Sequence, residues 1–310
     1  MRKVLVIGVD SIIGANLACV LSRQMECLGL YHQYPVAPGP CLTEAAGGIE
    51  SILTAVREFA PDQIVHCPVL ARPAWDPPAD DAIRCEEMEL ARRLADATSR
   101  LPCGLTVFST DAVFTGPRLF HEESCVATGH SAHARGALRM EAELRDTHAL
   151  IVRTCAYGWS PTGSDPGLAQ LLATRLCEGQ AANLDGLHYA TPILASDLAA
   201  LLPRAWERKL QGLYHITGAE RTNGHRFASE MGQALGIESQ PKSAKPSSEA
   251  LARSPALETS LNTRRARRDL GCAMPLLREG LERFAAQRTS GYLDELRAAA
   301  AEPATEAKAA

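Results

Sequence analysis

Lys3-Val4-Leu5-Val6-Ile7-Gly8-Val9-Asp10-Ser11-Ile12-Ile13-Gly14 is the stretch whose reading decides the fold. Its first five residues form an aliphatic run with no polar alternation, which predicts a strand buried on both faces. The run stops at Gly8, and Ile13, Leu17, Val20 and Leu21 then recur at helical spacing. A strand, a glycine-bearing loop and a helix in that order set a helix N-terminus where a pyrophosphate can be held. Gly8, Ser11, Ile12, Ile13 and Gly14 are therefore candidate cofactor-binding residues, with Ser11 where a Gly-x-x-Gly-x-x-Gly loop has its middle glycine. The bland alternative is a tight turn that binds nothing.

Outward from this loop, apolar runs at 27–31, 62–67, 105–109 and 150–154 read as further strands, separated by helical patterns near 50–59 and 79–97. Alternation of this kind predicts an α/β chain built on a doubly wound, Rossmann-like parallel sheet, with ligands along the C-terminal edge of its strands. The second strand ends at His32-Gln33-Tyr34-Pro35. It offers neither an acid for a ribose diol nor an arginine for a 2′-phosphate, so His32 marks the place without revealing the cofactor. Pro35, Pro38 and Pro40 predict a loop up to the next helix.

Residues 1–154 are expected to form the dinucleotide-binding domain, with 186–217 returning to it. A smaller C-terminal substrate-binding region is expected from 155–185 and 218–290, and 291–310 should be a disordered tail. Ser239–Ser254 is polar and broken by Pro241 and Pro246.

Composition excludes several classes. A net charge of -4 and 5% aromatic residues argue against a nucleic-acid surface. No apolar run reaches the length of a membrane span, and a strand beginning at Lys3 leaves no room for a signal peptide, so a cytoplasmic location is expected. Ten cysteines without a Cys-x-x-Cys pair read as reduced, buried side chains, and no metal is expected.

Ser109-Thr110-Asp111-Ala112-Val113-Phe114 resembles the strand end of the extended short-chain dehydrogenase/reductases, in the dTDP-4-dehydrorhamnose reductase branch. That branch includes the non-catalytic regulatory β subunit of methionine adenosyltransferase. Asp62 to His66, Glu122, Arg153-Thr154, Tyr157-Gly158, Thr191-Pro192, Gly212-Leu213-Tyr214-His215 and Leu261 support the resemblance in order and spacing, up to about residue 288. The resemblance implies NAD or NADP as cofactor and a nucleotide sugar as ligand. It also implies that Thr110 bonds a substrate carbonyl, that Asp111, Tyr157 and Tyr189 face substrate, and that Cys67 and Pro68 stand where small residues line the cofactor. Arg84 falls where the family keeps an asparagine.

The family's chemistry needs a Tyr-x-x-x-Lys pair on one helix face, with a glycine after the tyrosine and a glutamate four past the lysine. Anchoring that pattern on Gly136 and Glu143 puts Arg135 at the tyrosine and Arg139 at the lysine. No tyrosine in the chain has lysine four residues on, and no lysine lies between Lys3 and Lys209. A guanidinium does not release a proton at neutral pH.

Two functions stay open. One is a nucleotide-binding regulatory or scaffold protein that has lost catalysis, working with a protein partner or as a homodimer. The other is an active NAD(P)H-dependent reductase of a keto nucleotide sugar, using Thr110 with Arg135 in place of tyrosine. Arg135 and Arg139 read equally as a solvent-facing stripe or as cations on a bound phosphate.

Overall fold

The computed structural model describes residues 2–76, 85–163, 165–180, 186–237 and 257–298. Strand β1 (Lys3–Ile7) runs into helix α1 (Ile12–Leu21) and β2 (Glu26–Tyr31). Then come β3 (Leu42–Ala45), α2 (Ile49–Phe59), β4 (Gln63–His66), α3 (Cys85–Thr98), β5 (Gly104–Thr110), α4 (Ala132–Leu144) and β6 (Leu150–Thr154). One seven-stranded sheet has the order β10-β6-β5-β4-β1-β2-β3, where β10 is Gly212–His215, and every pairing in it is parallel.

Alternation along β1 shows why the sheet is covered twice. Val4 and Val6 join α1 and α6 (Ala195–Glu207) in a core with Leu17, Leu198 and Leu202. Leu5 and Ile7 point the other way, into a core with Ile52, Leu94 and Met140 from α2, α3 and α4. Successive strand side chains face opposite sides, so two buried faces demand an unbroken apolar run.

The remaining elements lie beside the sheet. They are β7 (Ala156–Tyr157), α5 (Leu168–Cys177), β8 (Tyr189–Ala190), β9 (Ile193–Leu194), β11 (Thr222–Asn223), α7 (Gly224–Ala234), α8 (Arg264–Leu270), α9 (Leu277–Gln287) and α10 (Tyr292–Leu296). Helix α8 packs into the first core through Ala266 and Leu270, and most of the others build a third core. Tyr157, Trp159, Leu172, Phe227, Leu281 and Phe284 pack together there, with the Trp159 and Phe284 rings stacked 4.2 Å apart.

Two elements differ from expectation. β3 lies where the prolines predict a loop; it is a short edge strand with exposed residues, so no apolar alternation marks it. The tail expected from 291 instead begins as α10, whose Tyr292 donates to Asn16 Oδ1 at 2.8 Å and whose Leu296 is buried. Arg84, the first turns of the helix expected from 79, residues 239–254 and the end of the chain lie outside the described residues.

Candidate functional site

At the end of β1 the backbone turns at Gly8 with φ of +88°. A Cβ on Gly8 would lie 2.4 Å from the Cys67 carbonyl oxygen, and one on Gly14 would lie 2.0 Å from the Gly8 carbonyl oxygen. Only glycine fits at either place. Ser11 works as the N-cap of α1: its hydroxyl donates to the Gly8 carbonyl at 2.7 Å and accepts from the Gly14 N–H at 3.0 Å. The serine is folded back onto its own loop. That leaves the N–H groups of Ile12 and Ile13 in the first turn for a ligand.

A cavity of about 600 Å³ runs along this edge. Gly8, Ser11, Ile12, Ile13, His32, Cys67 and Pro68, all expected from sequence, line it. Gly14 is not among the lining residues; its part is the close approach of helix to loop. Sequence reasoning missed Asp10, the Gly47-Gly48 turn before α2, and the importance of His66. His66 ends β4 fully buried, neither ring nitrogen has a hydrogen-bond partner among the described residues, and burial pulls its pKa down to about 3. A neutral imidazole with an unused N–H on the cavity wall is a donor awaiting an acceptor.

The other side of the cleft is filled by the chain itself. After β4, a 3-10 turn (Val69–Ala71) delivers residues 72–76 across the end of β5. The Arg72 carbonyl oxygen accepts from the Thr110 hydroxyl at 2.5 Å and from His133 Nε2–H at 3.2 Å. Ala74 N–H donates to Asp111 Oδ1 at 2.9 Å. The Trp75 ring packs edge-on to Phe227 and His188, at 5.3 and 6.1 Å between centroids. Asp76 Oδ1 accepts from Leu168 N–H at 2.9 Å in the first turn of α5, and Arg72 Nη1 grips both Asp165 oxygens at 3.0 and 2.7 Å. Beneath this segment, between Trp75, Tyr157, Leu168 and Phe227, the space is about 10 Å³. That is about room for a single water.

The expected substrate residues are consumed in this arrangement. Asp111 is fully buried, takes Thr259 Oγ1–H at 2.7 Å on its second oxygen, and has its pKa raised by burial to about 6. Burial raises the Asp76 carboxyl too. Tyr157 lies in the third core against Phe227 and Phe284, its hydroxyl without a hydrogen-bond partner among the described residues and its pKa raised by burial. Tyr189 sits on β8 with the Arg221 guanidinium stacked 3.6 Å over its ring.

Arg135 and Arg139 stand away from Thr110. Both are exposed and neither lines the cavity; Arg135 Nη1 donates to the His130 carbonyl. The helix turns a different face to the cleft. His133 reaches the Arg72 carbonyl, Ala137 is buried, and Glu141 is buried against Arg153 through bonds of 2.8 and 2.6 Å, with Ser109 adding one of 2.6 Å. Positions 133, 137 and 141 share one side of a helix; 135, 139 and 143 share another. Burial pushes the His133 pKa down, so the ring is neutral near pH 7.

The sequence matches the family described as RmlD substrate binding domain over residues 1–290. The chain belongs to that family. No curated protein sequence matches it. Solved structures share the fold at low identity. One is titled a dTDP-4-dehydrorhamnose reductase from Bacillus anthracis in complex with NADP: 19% identity, TM-score 0.70, covering 93% of this chain and 100% of that one. Another is WbmH of Bordetella bronchiseptica in complex with NAD+: 18% identity, TM-score 0.71, covering 94% and 100%. A hypothetical dTDP-4-dehydrorhamnose reductase from Sulfolobus tokodaii gives 20% identity, TM-score 0.68, and coverage of 86% and 94%. This member of the RmlD family thus carries the NAD(P)-binding fold of sugar-nucleotide reductases and epimerases. Among the described residues, no helix is long and apolar enough to cross a membrane, and no cluster of metal-ligating side chains occurs.

Proposed function

We propose that this chain binds an NAD(P) dinucleotide in the open cavity and serves a regulatory or scaffold role, without reducing a nucleotide-sugar ketone. The cavity suits the group on its own evidence. Gly8 and Gly14 make a cradle that any Cβ would fill, the first turn of α1 offers two N–H groups, and His66 has an unused donor. A bound dinucleotide would supply hydride chemistry. Gly8, Ile12 and Ile13 would hold its pyrophosphate, and Cys67 and Pro68 would form the wall beside it.

The observation that carries the reading is the Arg72 carbonyl oxygen, which takes both donors that a substrate carbonyl would need, the Thr110 hydroxyl and the His133 N–H. What supports a lost dyad is Glu141. If the glutamate four past the family's lysine is this buried partner of Arg153, the lysine position is Ala137 and the tyrosine position is His133. Alanine carries no charge to hold a ribose or to lower a neighbour's pKa. His133 is neutral, and its N–H already serves the plugging segment. The alternative of catalysis through Arg135 finds no support in a side chain that is exposed and turned to His130.

Oxidation of NADH and NADPH, followed with dTDP-4-keto-6-deoxy sugars, tests the reading. The expected turnover is at least ~10²-fold below that of an ordinary reductase, the effect of losing a positioned general acid. Turnover of about 10 s⁻¹, the middle of the enzyme range, would end it.

A further inference from the structure

The loop after β2 shows no side chain that would choose between the two nicotinamide dinucleotides, yet its backbone is already engaged by a carboxylate. Asp10 Oδ2 accepts the N–H groups of three consecutive residues, His32 at 3.1 Å, Gln33 at 2.7 Å and Tyr34 at 3.3 Å. Successive N–H groups aimed at one point form a concavity that binds anions. In this chain the anion comes from the glycine loop itself. Asp10, His32, Gln33 and Tyr34 all line the open cavity.

We propose that Asp10 makes the site selective for NAD over NADP, by filling the anion-binding turn after β2 and setting a carboxylate where the adenosine ribose binds. The inference rests on the dinucleotide reading of the cavity. In sheets of this type the ribose lies at the end of the second strand, where an acid accepts from the diol. Asp10 Oδ2 is committed to the backbone, and Oδ1 of the same carboxylate is the acceptor for a 2′-hydroxyl. A 2′-phosphate is a phosphomonoester carrying roughly -1.5 to -2 charge near neutral pH. It would meet a fixed like charge and find the N–H groups that would hold it already used. Among the described lining residues there is no lysine; the one arginine, Arg72, is bound to Asp165 and Asp76, and Arg93 beside the wall is bound to Glu50. Glu50, in the first turn of α2, also lines the wall, where it pairs with Arg93. The acid missing from the β2 loop is thus supplied from a residue 22 positions earlier than His32.

Calorimetric titration of the full chain with NAD+ and, separately, NADP+ tests this, using the wild type, Asp10→Asn and Asp10→Glu. The expected wild-type preference for NAD+ is roughly 100-fold, the size of a like-charge penalty of a few kcal/mol. Asp10→Asn keeps an oxygen for the three N–H groups and removes the charge, so the preference should shrink at least ~10-fold. Asp10→Glu keeps the charge and should keep NADP+ excluded. A melting curve of each variant without ligand separates a folding defect from a change in the ratio. Wild-type protein that binds NADP+ as tightly as NAD+ overturns the assignment while leaving the dinucleotide reading intact. An Asp10→Asn ratio equal to that of wild type also overturns it. Binding of neither dinucleotide overturns both readings together.

Discussion

On one side of Arg72 the ligand cleft is a cavity of about 600 Å³ opening on the glycine loop and the first turn of α1; on the other it is a gap of about 10 Å³. Both sides lie along the same sheet edge and descend from the same fold. The open side depends on backbone shape, which tolerates a serine at position 11 because its hydroxyl folds back as a helix cap. The closed side depends on side chains: Thr110 and Asp111 are bonded to residues 72–76, Tyr157 is buried in the third core, and Tyr189 is covered by the Arg221 guanidinium. On the proposed reading, the dinucleotide site rests on the glycine loop, whereas the substrate site gives its donors to acceptors within the chain.

The contrast can be broken most severely at the pair of donors on Arg72. Restoring a phenol and an amine with His133→Tyr and Ala137→Lys should give no more than ~10-fold gain in NAD(P)H oxidation while 72–76 stays in place. The same pair combined with a shortened 72–76 segment should gain ~10²-fold or more. A full gain from the double substitution alone would show that the segment does not block the cleft.

A smaller effect follows from Asp111, which holds the segment at Ala74. Its folded-state pKa is raised from 3.8 to about 6, so the folded protein binds the extra proton. Stability from this group is fully present below pH 3.8 and is lost as pH rises through 6, by about 3 kcal/mol in total. Asp76 is shifted the same way and acts in the same direction. Denaturant melts from pH 4 to 7 should show a downward slope that Asp111→Asn flattens.

Trp75→Ala should cost about 1–3 kcal/mol, since its ring is partly buried against Phe227 and His188, and should speed proteolysis near 72–76 without weakening dinucleotide binding. The least effect belongs to Arg135→Ala and Arg139→Ala. Both are exposed, so each should stay within ~0.5 kcal/mol of wild type in stability and leave NAD+ affinity unchanged.

The fold was legible because β1, β4, β5 and β6 are buried on both faces and centre on apolar residues, Val4 to Ile7, Ile64 and Val65, Val107 and Phe108, and Leu150 to Val152. β3 and α10 were not: one is a polar edge strand, and the other packs through only two buried side chains, Tyr292 and Leu296. The glycine loop was readable from type and spacing, since Gly8 and Gly14 are needed for reasons local to the loop. The plug was not, because Arg72, Ala74 and Asp76 act through partners 37 to 93 residues away. The register of α4 turned on which of Glu141 and Glu143 is buried. Only the ion pair with Arg153 answers that, and nothing in the spacing does.

Trp75 gives the most direct reading of the central claim, as the reporter in a titration of the full chain with a dTDP-hexose, with and without saturating NAD+. Occupation of the substrate side by residues 72–76 predicts that NAD+ binds while the nucleotide sugar neither binds nor changes Trp75 emission at millimolar concentration. Micromolar binding of the sugar nucleotide, with a Trp75 signal that Trp75→Phe removes, would contradict it.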